Sequence, residues 1–150
     1  MKRLLLPFAI VAALGLMVGC KETAQETAED VAEARADARE NIAEEQRDVT
    51  EERMEVQQEV AQQVAQGDTE ELNDEVAEGS KDIADEQYDV AIAAAKGRYD
   101  TSLEQCDALE GDAKDACQDE AETAYESEKA TADADHERKV ANAEAIDDLD

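Results

Sequence analysis

A chain of 150 residues with 42 acidic and 14 basic side chains carries a net charge of −28, which excludes nucleic acid and anionic lipid surfaces as partners held by charge. Its hydrophobic fraction is mostly alanine plus the N-terminal run. Beyond position 20 roughly one residue in seven has a large apolar side chain, too few for a thick core. The expected fold class is therefore all-α: elongated acidic helices pairing through narrow Ala-rich seams, with little globular core. The acid excess itself reads two ways, as adaptation to high salt or as attraction for cations.

Residues 1–19 open with Lys2 and Arg3, then run apolar from Leu4 to Val18, broken by Pro7 and Gly15. That run is shorter than the ~20 residues that span a bilayer comfortably and suits the core of a signal peptide. It closes on Leu16-Met17-Val18-Gly19-Cys20, after which charge begins at once. The junction resembles the lipobox of bacterial lipoproteins, with Met17 where leucine is usual. The resemblance implies cleavage before Cys20, a lipid on its thiol and a membrane-anchored mature chain. Lys21, in place of the aspartate that retains such proteins at the inner membrane, implies the outer membrane, facing the periplasm.

Residues 20–66 read as a lipid-anchored acidic helical stalk. From Glu22 to Gln66 there is no Pro or Gly, and strong helix formers dominate. Such a helix would be about 65 Å long at ~1.5 Å per residue. Ala28, Ile42, Val49 and Val56 keep a seven-residue row, but Arg35 and Gln63 share it, and Arg39, Gln46 and Arg53 spoil the partner row of Val60. A solvated helix and an oligomeric coiled coil both remain open. Residues 67–79 read as a short acidic helix or linker: Gly67-Asp68 is a stop and restart, with Asp68 as cap and Glu71 three residues on, and Leu72 and Val76 lead to Gly79.

Residues 80–150 read as an α-hairpin, with Ser80 as the N-cap of its first arm. Tyr88, Ile92, Ala95, Tyr99, Leu103 and Cys106 step by four and three and share one face. Gly97 inside that arm costs about 1 kcal/mol relative to Ala and marks a weak point. Gly111-Asp112 repeats the stop-and-cap signal. A second arm then runs from about Asp112 towards Ile146, with Ala113, Cys117, Ala121, Ala124 and Tyr125 inward.

Cys106 and Cys117 are the pair left once Cys20 is lipidated, and an even pair in an exported chain suggests a disulfide. On one unbroken helix they would lie about 16 Å apart, whereas a disulfide needs Cα atoms within roughly 7 Å. If the bond forms, the chain must reverse at Gly111-Asp112 and partner numbers should sum to about 223 or 224. Leu103 then faces Ala121, Tyr99 meets Ala124 or Tyr125, and Ile92 approaches Ala132. A thiol-redox pair would more often show Cys-x-x-Cys, and metal ligation would have to recruit His136, which otherwise reads as a solvated helix residue.

The run from Cys106 through Leu109, Gly111, Ala113, Lys114 and Asp115 to Cys117 is similar to a Cys-x-x-Leu-x-Gly-x-Ala-Lys-Asp-x-Cys motif of uncharacterised proteobacterial exported helical proteins. The resemblance, over about residues 88–145, implies an envelope location and a helical hairpin, and brings no activity.

Motifs of catalysis are lacking: the chain has no phosphate-binding Gly loop and no His-Glu-x-x-His. Asp133, Asp135, Glu137 and Glu144 imitate calcium-loop positions, but Arg138 stands where the loop requires glycine, so no metal site is expected. The acidic end Asp147-Asp148-Leu149-Asp150 makes tethering to peptidoglycan through a terminal lysine unexpected. The expectation is a non-enzymatic envelope lipoprotein without cofactor, with a structural or interaction role in the periplasm. Its partners would be the membrane, through the lipid on Cys20, and a cationic or helical protein. Sequestration of cations or cationic peptides is the alternative, and the oligomeric state is left open.

Overall fold

The computed structural model describes residues 23–67 and 69–147; the signal-peptide reading of 1–19, the lipidation reading of Cys20 and the capping role of Asp68 fall outside them. Among the described residues the chain is three helices: α1 (Ala24–Gln66), α2 (Thr69–Cys106) and α3 (Asp112–Asp147). α2 is central. It packs on both neighbours, and α1 and α3 do not meet. None of these helices is long and apolar enough to cross a membrane.

The helix ends follow from local chemistry. Thr23 caps α1: its hydroxyl accepts from the Glu26 amide at 3.2 Å, and the Glu26 carboxylate accepts from the Thr23 amide at 2.7 Å. This reciprocal pair satisfies two amides the first turn cannot. Gly67 ends α1 with φ +79°, donating its amide to the Gln63 carbonyl at 3.0 Å. Gly111, with φ +55°, reverses the chain before α3, and Asp112 and Asp115 put negative charge on that helix's first turn.

The break expected at Gly79-Ser80 does not occur, and the separate short helix expected over 67–79 is the opening of α2. Ser80 is no N-cap. Its hydroxyl donates to the Val76 carbonyl at 2.6 Å, one turn back, so the polar group is absorbed without ending the helix. Gly79 and Gly97 are buried, and both are contact points rather than weak points. A Cβ at Gly97 would lie 2.4 Å from the Ala38 Cβ, and one at Gly79 would lie 2.5 Å from a Val56 methyl. Only glycine lets α1 come this close.

The core is a set of small side chains that, Ala77 apart, recur at a regular interval. Ala84, Ala95 and Cys106 on α2, and Ala121, Ala132 and Ala143 on α3, are buried. Within each helix these positions recur every eleven residues, or 3.67 per turn, close to the α-helix's own period. A nearly straight helix therefore keeps the same face on its neighbour along its whole length. The burial is thin. An alanine methyl contributes about 0.8 kcal/mol when removed from water, so these contacts set spacing more than they supply stability.

Larger side chains form rungs beside this seam. The Tyr99 and Tyr125 rings lie 5.2 Å apart, and those of Tyr88 and His136 lie at the same separation. The expected hairpin register holds, with Tyr125 rather than the exposed Ala124 meeting Tyr99. Ala113, expected inward, is exposed.

Candidate functional site

At the hairpin tip the backbone turns through Asp107 to Gly111, with the Leu109 amide bonded to the Cys106 carbonyl at 2.9 Å and the Lys114 amide to the Gly111 carbonyl at the same distance. Cys106 and Cys117 come to disulfide distance there, their Cα atoms 5.6 Å apart. Cys106 is fully buried, and Lys114 and Asp107 close an ion pair of 2.7 Å across the same turn. Cys20 lies outside the described residues.

Polar groups tie α2 to α3 along the hairpin. Arg98 donates to Glu128 at 2.9 Å, Lys139 to the Gln87 side chain at 2.8 Å, and the Tyr88 hydroxyl to Asp133 at 2.8 Å. That last bond, formed with a carboxylate, pushes the Tyr88 phenol above its usual range. His136 is not the solvated residue its sequence context suggests. Its side chain is half-buried, its Nε2 lies 2.5 Å from Asp85 Oδ1, and its ring sits on Tyr88. Within α3, Asp135 pairs with Lys139 at 2.7 Å and with Arg138, and the Lys139 bond holds its carboxyl below the usual range.

The α1·α2 seam is built differently. The face of α1 turned to α2 runs through Val31, Ala34, Ala38, Ile42, Glu45, Val49, Glu52, Val56, Val60 and Gln63, all half-buried. Two of these are acids, and acids meet them from α2. Burial first, then the charges of Asp89, Asp48 and Glu44, raise the Glu45 carboxyl above its ordinary value. Burial likewise leads for Glu52, with Asp82, Glu55, Glu86 and Glu59 adding to it, and for Glu86, beside Asp48, Asp89, Glu45 and Asp85. Glu75 is raised chiefly by sharing a hydrogen bond with Glu59. Two carboxyl groups can share a hydrogen bond only when one keeps its proton.

Two grooves follow this seam. One, of about 530 Å³, has Ala34, Ala38, Ile92, Ala93 and Gly97 in its walls, with Asp30, Glu33, Asp37, Asp89, Asp100 and Glu104 also lining it; Lys96, a cation in the same wall, pairs with Asp100 at 2.6 Å. The other, of about 330 Å³, is lined by Glu52, Glu55, Glu59, Glu75, Glu78 and Asp82 around Val56 and Gly79. Glu45, Asp48 and Glu86 bring one carboxylate oxygen each to within 4.8 Å of one another. Three oxygens fall short of the six to eight that calcium takes, so the trio concentrates negative charge without forming a cage. Chemically, the surface can attract cations and retain protons.

Sequence reasoning finds the cysteine pair but misses the seam and the His136–Asp85 contact. The visible signal for the hairpin rungs is Tyr88-Asp89 recurring eleven residues later as Tyr99-Asp100. No protein-family model matches this chain, and neither a curated protein nor a solved structure matches it.

Proposed function

We propose that this chain is a non-enzymatic lipoprotein of the bacterial envelope with a structural or interaction role in the periplasm, held at the outer membrane by lipid on Cys20. The observation that carries the reading is the meeting of Cys106 and Cys117 at the hairpin tip. A clip of that kind forms and persists in an oxidising compartment, the destination implied by the apolar leader and the Leu16–Cys20 junction. Two features then divide the work: lipid fixes position, and the helices present an acidic surface to a cationic or helical partner.

Intact mass of the protein taken from membrane fractions tests both halves. The expected species lacks residues 1–19, carries acyl chains on Cys20, and gains two hydrogens at Cys106 and Cys117 on reduction. An unacylated protein retaining its first nineteen residues would remove the anchor. Free thiols in the oxidised sample would remove the clip.

A second reading, sequestration of cations or cationic peptides, is favoured by the acid-lined groove of about 530 Å³ with its small-residue wall. Calorimetric titration with a polybasic peptide should then saturate at a fixed stoichiometry at ~0.15 M salt, where loose charge attraction is screened. Loss of all heat at that salt rejects it.

A further inference from the structure

The seam between α1 and α2 combines three features that oppose one another. The first is a fitted dock: Ala38 sits at Gly97 and Val56 at Gly79, and the two contacts are eighteen residues apart on each helix. Matched spacing on antiparallel partners fixes one register, and bare glycine at both points makes that register a built one. The second is a hinge. α1 is joined to α2 at Gly67, a left-handed glycine (φ +79°) with no atom within 4 Å of where a Cβ would stand, so neither a side chain nor a neighbour blocks rotation there once its cap bond to Gln63 opens. Among the described residues α1 packs on α2 and on no other helix.

The third feature is charge. Between the two glycine contacts, Glu45, Asp48 and Glu52 of α1 lie against Asp82, Glu86 and Asp89 of α2. Past Gly79 the sequence of acids continues with Glu55 and Glu59 against Glu75 and Glu78. Lys96, the cation in the neighbouring groove, is already engaged by Asp100 of its own helix. Glu45, Glu52, Glu75 and Glu86 are half-buried here while Asp48, Asp82 and Asp89 stand exposed at the edge, and like charges facing half-buried carboxylates repel more strongly than they do in water. The fitted contacts close the seam and the ionised carboxylates open it.

We propose that α1 is a charge-gated arm: it docks along α2 when the seam carboxylates are neutralised, and it swings away about Gly67 when they are all ionised at low ionic strength. The α2·α3 hairpin stays closed in both states, because its disulfide, its ring pairs and its cross-helix ion pair do not depend on that seam. The direction of the pH effect follows by linkage. Glu45, Glu52, Glu75 and Glu86 have carboxyls raised above 4.5 in the docked form, so docking takes up protons and is favoured as pH falls through that raised range. The reading does not rest on the lipid anchor.

The test is a distance measurement by paired spin labels in the full chain, with Cys106–Cys117 oxidised and Cys20 acylated or replaced as Cys20→Ser. Ala32→Cys and Gln105→Cys place the labels at exposed positions far from Gly67, where opening moves them most. Docked, the helix axes lie about 10 Å apart and the labels report a short distance. Released, an arm about 65 Å long carries its label beyond roughly 40 Å.

The short population should be the minority at about pH 7.5 in low salt and the majority at about pH 4.5. The triple variant Asp48→Asn, Glu52→Gln, Glu86→Gln should show the short majority at both values. Gly97→Leu should show the long distance at both, with helical circular dichroism retained. Identical distributions at the two pH values in the unmodified seam would overturn the proposal. So would a triple variant that still needs acid to close.

Discussion

The two faces of α2 are stabilised by opposite means. Towards α3 it offers buried alanines at an eleven-residue interval, two ring contacts, Arg98 to Glu128 and a covalent clip at the tip. Towards α1 it offers two glycine sockets and a row of acids facing acids. Both contacts are thin, and both use small residues to bring backbones close. The lesson is that close approach alone does not decide how firmly two helices hold. What lies beside the small residues decides it: complementary groups in one interface, like charges in the other.

The largest effect that sharpens this contrast is loss of the clip. Cys106→Ser with Cys117→Ser, or reduction, removes about 3 kcal/mol on the chain-entropy account of a loop of about a dozen residues. Thermal unfolding followed by circular dichroism should show α2·α3 melting roughly 10 °C or more earlier. A melting curve indifferent to reductant would mean the alanine seam suffices unaided.

Next comes the glycine socket. Gly97→Ala adds a Cβ 2.4 Å from that of Ala38, and overpacking of this kind costs about 1–3 kcal/mol in the contact it disturbs. The same change should strengthen α2 as a helix by about 1 kcal/mol. Hydrogen exchange should therefore quicken in α1 and slow in the α2 amides around the substitution. Equal protection in α1 would show that Ala38 moves aside at no cost.

Removing a ring tests the other face. Tyr99→Ala loses the contact with Tyr125, about 1 kcal/mol beyond the area it buries, and should loosen α3 while leaving α1 protection unchanged.

Acidification separates the interfaces by sign. Asp135, lowered mainly by the Lys139 bond, and Glu26, lowered mainly by the Thr23 amide, contribute stability present above their ordinary values of 3.8 and 4.5 and lost as pH falls below them. The raised seam carboxyls work the other way. On descending from neutral, α1 amides facing α2 should become better protected, while the first turn of α1 at Glu26 frays later and only in stronger acid. Exchange rates corrected for intrinsic pH dependence would show the two trends; a common trend would erase the distinction.

The smallest expected effect is that of Arg98→Ala. Its pair with Glu128 is exposed on both sides, and such pairs contribute about 0.5 kcal/mol, reduced further by salt.

Much of the hairpin is legible before any coordinates, because its signals are covalent or local. Two cysteines eleven apart with Gly111 between them require a reversal if they are bonded, and counting from that bond brings Tyr99 to Ala124 or Tyr125, of which the structure selects Tyr125. The docking of α1 is not legible. Glu45 and Glu52 occupy its inward face, so the row looks broken to a reading that expects apolar residues there. Gly79-Ser80 looks like a stop because helix-end signals are local, whereas Gly79 is needed for Val56, a residue 23 positions earlier on another helix. Gly97 misleads in the same way. A glycine in a helix is read as a loss of propensity until the neighbour that occupies its missing side chain is known. The reach of His136 to Asp85 is hidden for a related reason, since a lone histidine in a charged helix gives no sign of what stands opposite.

The eleven-residue interval of the α2·α3 seam has a consequence for uniqueness. A repeating contact resembles a ruler with identical graduations: displace one helix by a full interval, about 16.5 Å, and Ala95 meets Ala143, Cys106 meets Ala132 and Tyr99 comes opposite His136. The small-residue seam alone therefore discriminates weakly between neighbouring alignments, and cross-helix bonds such as Tyr88 to Asp133 and Arg98 to Glu128 must choose between them. The sulfur bridge at the tip admits a single graduation. Its deeper service is to make the alignment singular, and reduced protein should sample the shifted one.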